Sequence, residues 1–195
     1  MTRGGAPKRI AWSAHPLAQN GRVSLTRAWL LSLTLLWLVT GLAALAAATV
    51  LPVAHLARAL LALRLRAATN QVPSAGHAIA LTAHNVQVSG WPLLLPVLGA
   101  HRHDRARSLA DAGVALSIAL NGTLVGLAIG AYGARLFPYI PQLGLEWGGV
   151  ALGGAGWMLA RRGGSSVRTI LVVAGLLIAA LGTAAIVETV AVPHR

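Results

Sequence analysis

Few side chains in this sequence could do chemistry. Among 195 residues there are four Asp and Glu, sixteen Lys and Arg, seven His and no Cys. Without cysteine there is no disulfide, thiolate metal site or cysteine nucleophile. The sequence carries no Gly-x-Ser-x-Gly, no His-Glu-x-x-His and no paired aspartates, and four carboxyl groups leave little for acid–base work. The expectation is a protein that is not an enzyme, with no catalytic residue and no cofactor. His101-x-His103-Asp104 invites a metal reading. One-residue spacing, the neighbouring Arg102, Arg105 and Arg107, and the lack of a fourth ligand argue against it, so no metal is expected.

What remains is a set of polar residues inside or beside apolar runs: His84, Asn85, Asn121, Arg135, Glu146 and Glu188. An ionised group at the centre of a bilayer costs roughly 2.5–3.5 kcal/mol on insertion scales, which makes it a functional suspect. At an interface the same group is a solvated anchor. Glu146 follows Pro138 and Pro141 and opens an apolar, glycine-rich run. A carboxylate there gains from the positive end of the helix dipole, by a few tenths to ~1 kcal/mol. Glu146 therefore belongs at an interface or inside a polar bundle.

The elements that hold these residues are membrane helices. The chain is 56% hydrophobic and only 10% charged, against about 25% charged in soluble domains, and its mean hydropathy is +0.68. The formal net charge of +12 suggests nucleic acid at first sight. The basic residues instead cluster between apolar spans, as in the cytoplasmic loops of membrane proteins, so no nucleic-acid partner is expected.

Residues 1–27 read as a basic cytoplasmic tail and 28–195 as one membrane domain. About five spans are expected, at 28–51, 78–100, 112–134, 143–160 and 169–190, since a crossing needs about 20 apolar residues. The 78–100 span carries polar residues in its first half and Trp91, Pro92 and Pro96 in its second, which predicts a broken or half-amphipathic helix whose polar face meets protein or water. Residues 53–68 are a candidate amphipathic helix on the outer surface, followed by a turn over Thr69 to Gly76. Residues 101–107 and 135–142 read as loops. The fold class is thus an all-α polytopic membrane helix bundle.

With the amino terminus in the cytoplasm, eleven basic residues lie inside and five outside (Arg58, Arg64, Arg66, Arg135 and Arg195). The positive-inside rule favours that orientation, with the C-terminus outside. It places Glu146, Glu188, Arg135, His84 and Asn85 towards one side as a candidate polar cluster, with Asn121 further in. His84 and Asn85 either hydrogen-bond neighbouring helices or face a polar path. Gly122, Gly126 and Gly130 repeat every four residues, and Gly149 and Gly153 do the same. Such stripes let another backbone approach closely. Asn121 lies beside the first stripe, within reach of a bond across it.

The stretch Pro141-Gln142-Leu143-Gly144-Leu145-Glu146, followed by Gly153-Gly154-Ala155-Gly156, resembles the stage II sporulation protein M family of integral membrane proteins. That family's pattern there is roughly Pro-His-Gly-x-Leu-Glu before a Gly-rich helix. Upstream, Asn121-Gly122 with Gly126 matches its Asn-Gly followed by Gly. The resemblance covers about residues 80–160, and Gln142 and Leu143 replace the pattern's His and Gly. It implies a bacterial membrane scaffold or accessory subunit of a multiprotein complex, linked to cell-envelope remodelling, in the cell membrane (the inner membrane). The partners would be the lipid bilayer and either a homo-oligomer or other membrane proteins. The alternative function is a subunit of a transporter or channel with a polar path near Asn85, Asn121 and Glu146.

Overall fold

The computed structural model describes residues 24–68, 74–163 and 166–191. The basic tail over 1–23, the turn over 69–73 and the end of the chain at 192–195 lie outside the described residues. The described residues form helices and short turns, with no strand among them.

Helix α1 spans Leu25–Thr49. It starts three residues before the expected span because the Ser24 hydroxyl accepts the Arg27 N–H at 3.3 Å, a side-chain cap that satisfies one of the unpaired donors of the first turn. Helix α2, Leu51–Ala68, follows after one extended residue, Val50. Helix α3 spans Ala75–Gly90 and is capped by Ser74. The chain then tightens into a 3-10 turn, Trp91–Leu93, and a short helix α4, Leu94–Val97. Pro92 removes the N–H that the Val88 carbonyl would have used, which is why the regular helix stops there. Gly99 then takes φ 75°, a left-handed conformation that suits glycine.

Helix α5, Asp104–Tyr132, is longer than expected. The stretch read as a loop over 101–107 includes its first turn, where Arg107 pairs with Asp104 three residues away. A 3-10 segment, Gly133–Tyr139, joins it to α6, Ile140–Arg161. Pro141 sits in the first turn of α6, where a missing N–H costs nothing. Helix α7 is Val167–Ala191.

The contacts give each helix a direction. Gly122, Gly126 and Gly130 of α5 face Leu36, Thr40 and Ala44 of α1 in the same order, so α1 and α5 run parallel. Helix α6 opposes both: Gly154 lies against Ser32 and Ile118, and Trp157 reaches Asp111. Helix α7 opposes α6, with Gly149 on Leu181 and Gly156 on Val173. Helix α3 opposes α7, with Gly90 on Leu177 and Gly182 on Thr82. Helices α1, α5 and α7 therefore point one way, and α3 and α6 the other. Helix α2 lies against the far end of α5, where Arg58 reaches the Ala131 carbonyl.

Burial is inverted relative to a water-soluble bundle. Leu30, Leu31, Leu35, Leu38, Leu42 and Leu45 of α1 are exposed, as are Leu171, Val172, Leu176, Ile178 and Ile186 of α7. A continuous apolar exterior of this kind is stable only against lipid or another protein. Among the described residues, three helices are long and apolar enough to cross a membrane: Leu25–Thr49, Asp104–Leu136 and Val167–Val190. Helix α6 is the most enclosed, with Trp147, Ala151, Ala155, Trp157 and Ala160 all buried. A helix surrounded by protein on most sides needs no broad lipid-facing surface, so it tolerates Gln142, Glu146 and many glycines.

Candidate functional site

Two glycine-rich faces draw the helices together. A Cβ on Gly126 would lie 2.7 Å from the Ala43 Cβ, and closer still to the Thr40 carbonyl oxygen. Gly130 sits in the same way over Ala44 and Ala47, while Gly122 is looser, 3.0 Å from Val39. The Thr40 hydroxyl lies 2.9 Å from the Leu36 carbonyl of its own helix and 3.0 Å from the Gly122 carbonyl. It satisfies itself at the α1–α5 contact. On α6, Gly153 meets the Ser89 carbonyl of α3, Gly149 meets Leu181 and Gly156 meets Leu93.

These contacts leave a gap between α3 and α5, backed by α6. It is a half-open cavity of about 560 Å³. Its polar lining is His84, Asn85 and Ser89 from α3, Ser117 and Asn121 from α5, and Glu146 from α6. Four of the six residues of the expected cluster thus meet at one cavity. Leu116, Leu120, Leu124, Val88 and Val125 are among its apolar walls. Glu146 has no hydrogen bond or ion pair with a described residue. Asn121 does not bond across the helix face: its amide donates to the Ser117 carbonyl one turn back, at 2.8 Å.

The other two members of the cluster stand elsewhere. Glu188 of α7 does not line the cavity. Arg135 is not beside Glu146 at all. It lines a second cavity with Arg58, Ala131 and Tyr132, at the end of α5 away from α3. An expected place on the same side of a membrane did not make it a neighbour.

Towards the amino-terminal end of α5 the cavity meets an apolar layer. Trp91 covers Gly113, whose added Cβ would lie 3.1 Å from the indole ring. Trp91 packs on a cluster that includes Ala110, Val114, Ile118 and Trp157. Beyond this layer is a polar group that no sequence motif announced. Asp111 accepts the Trp157 indole N–H at 2.9 Å and pairs with Arg161 at 2.9 Å. Its only signal was its place, just before one apolar run, with Arg161 just after another. Gln142, which stands where the resembled pattern has histidine, is buried, and its side-chain oxygen has no partner among the described residues. Among the described residues no group of His, Asp and Glu could hold a metal ion.

The fold and its apolar exterior define a helical membrane protein. No protein-family model, curated protein or solved structure matches the chain.

Proposed function

We propose that this chain is a scaffold or accessory subunit of a multiprotein membrane complex, crossing the bilayer five times with its amino terminus in the cytoplasm. The observation that carries the reading is the lateral groove between α3 and α5, with the carboxyl group of Glu146 in it and no described partner for that group. A transmembrane helix of a partner protein, bringing hydrogen-bond donors or a basic side chain, fits that lining by chemistry and satisfies a group that is costly to leave bare.

The alternating directions of α1, α3, α5, α6 and α7 support five crossings. Arg27, Arg102, Arg105, Arg107, Arg161, Arg162 and Arg168 fall at or near one end of those helices, which supports placing that end in the cytoplasm. The resemblance to the sporulation protein M family directs the reading towards the bacterial cell envelope. A transporter subunit is the second reading, favoured by the polar residues in the groove. The apolar layer of Trp91, Val114 and Trp157 weighs against a continuous polar path.

The test is gentle detergent purification of the tagged protein from its native membrane, comparing wild type with Glu146→Gln. A stoichiometric membrane partner retained by wild type and lost from the variant is the expected result. Wild type that purifies without a partner and carries solute flux in liposomes would replace this reading with the transporter one.

A further inference from the structure

The second cavity concerns a different ligand. It is a half-open cavity of about 530 Å³, lined among the described residues by Arg58, Ala131, Tyr132 and Arg135. Three segments converge there: α2 brings Arg58, the last turn of α5 brings Ala131 and Tyr132, and the 3-10 segment brings Arg135. The Arg58 Nε–H donates to the Ala131 carbonyl at 3.3 Å. That bond helps cap α5 and fixes the plane of the guanidinium, leaving its other four N–H groups. Neither arginine pairs with a carboxylate among the described residues.

Charge decides what fits. Two guanidinium groups bring two positive charges to one cavity. The end of α5 offers about half a negative charge, which cannot balance them. Both arginines are exposed, so an anion can reach them, and two guanidinium groups favour a tetrahedral oxyanion that each can grip with paired N–H bonds. The position of the cavity narrows the source. It lies where the apolar run of α5 gives out, near Leu136. Leu51 and Leu56 of α2 are exposed by 68% and 61%, and so offer a surface to acyl chains.

We propose that this cavity binds a phosphate oxyanion carried by an anionic phospholipid. The two arginines hold the phosphodiester, and Tyr132 lines the same cavity. A zwitterionic headgroup brings its own ammonium and leaves the two charges unbalanced, so it is the poorer ligand. The proposal rests on neither the groove at Glu146 nor any protein partner.

The experiment is native mass spectrometry of the detergent-purified full chain with phosphatidylglycerol or phosphatidylcholine, each with and without millimolar inorganic phosphate. Wild type is expected to retain one phosphatidylglycerol in preference to phosphatidylcholine. Arg135→Gln, which removes no described hydrogen bond, is expected to weaken that retention about tenfold, as the loss of one charge-assisted contact would. Arg58→Lys keeps the charge, loses the Nε geometry and should weaken it less than Arg58→Gln. If inorganic phosphate displaces the lipid from wild type but not from Arg135→Gln, the anion site stands and its source is a soluble phosphate compound. Equal retention by wild type, Arg135→Gln and Arg58→Gln, or no preference between the two lipids, overturns the proposal.

Discussion

Alanine placed at individual glycines tests the packing directly, because the structure ranks the positions. At Gly126 the new Cβ would stand 2.7 Å from the Ala43 Cβ, where carbon atoms prefer about 3.5–4.0 Å. Its closest neighbour is the Thr40 carbonyl, which is backbone and cannot rotate away. The α1–α5 pair must therefore separate by about 1 Å, and such a gap forfeits a quarter to a half of each contact along the seam. Overpacking of this kind costs ~1–3 kcal/mol. Gly130→Ala meets the same obstacle at the Ala44 carbonyl. At Gly122 the nearest atoms belong to the Val39 side chain at 3.0 Å, so the cost should be smaller. Gly144 and Gly148 have nothing within 4 Å. Alanine there gains helix propensity, up to ~1 kcal/mol in a water-exposed helix. That gain is common to all five variants, so it cancels when Gly126→Ala is compared with Gly144→Ala. The difference between those two should be ~1–3 kcal/mol. It would be read from reversible unfolding in mixed micelles. Equal stabilities for Gly126→Ala, Gly130→Ala and Gly144→Ala would refute the seam.

Other outcomes follow from single contacts. Asp111→Asn removes the ion pair to Arg161 but keeps an acceptor for Trp157; both partners are partly exposed, so the loss should be under about 1 kcal/mol. Asp111→Leu also strands the Trp157 N–H and should cost about 1–3 kcal/mol more, measured by the same unfolding assay; equal effects of the two variants would deny the indole bond. Because the chain has no cysteine, a single introduced thiol reports topology. Ala134→Cys should react with an impermeant maleimide added outside intact cells, and Arg162→Cys only after the membrane is opened; labelling of both from one side would contradict an odd number of crossings between residues 134 and 162. Glu146→Gln should leave unfolding stability within about 0.5 kcal/mol, as expected for a substitution that breaks no internal bond, while abolishing partner retention.

The apolar runs made the helices legible, because a bilayer demands about 20 apolar residues per crossing whatever the neighbours are. The ends were less legible, since they depend on local bonds. Ser24 extends α1 backwards, and the Asp104–Arg107 pair turns part of an apparent loop into helix. The glycine spacing marked the faces that pack but not their partners. Nothing local says that Gly126 meets Thr40, 86 positions earlier in the chain. Asp111 and Arg161 stand fifty residues apart, and no motif or spacing links them. Arg135 shows the converse limit. Hydropathy and charge count assign a side of the membrane, but only helix directions and turns decide which groups on that side touch.

The groove is a consequence of where the glycines are. On α5, Gly122, Gly126 and Gly130 lie on one face and Gly113, Ser117, Leu120 and Leu124 on nearly the opposite one, by the 100° step of the helix. The glycine face goes to α1, because two backbones that approach closely gain most contact area there. On α6, Gly149, Gly153 and Gly156 accept α3 and α7, while Gly154 accepts α1 and α5. Helix α3 is drawn to α6 and α7, and α5 is drawn to α1. The facing sides of α3 and α5 carry Val88, Leu116, Leu120 and Leu124, too bulky to allow an equally close approach. The helices therefore part at the side where His84, Asn85, Asn121 and Glu146 point in. Filling the glycine seam at Gly126 would push α5 away from α1 and towards that space. A seam variant should then alter partner binding at the groove as well as stability, and Gly144→Ala, which moves nothing, should alter neither.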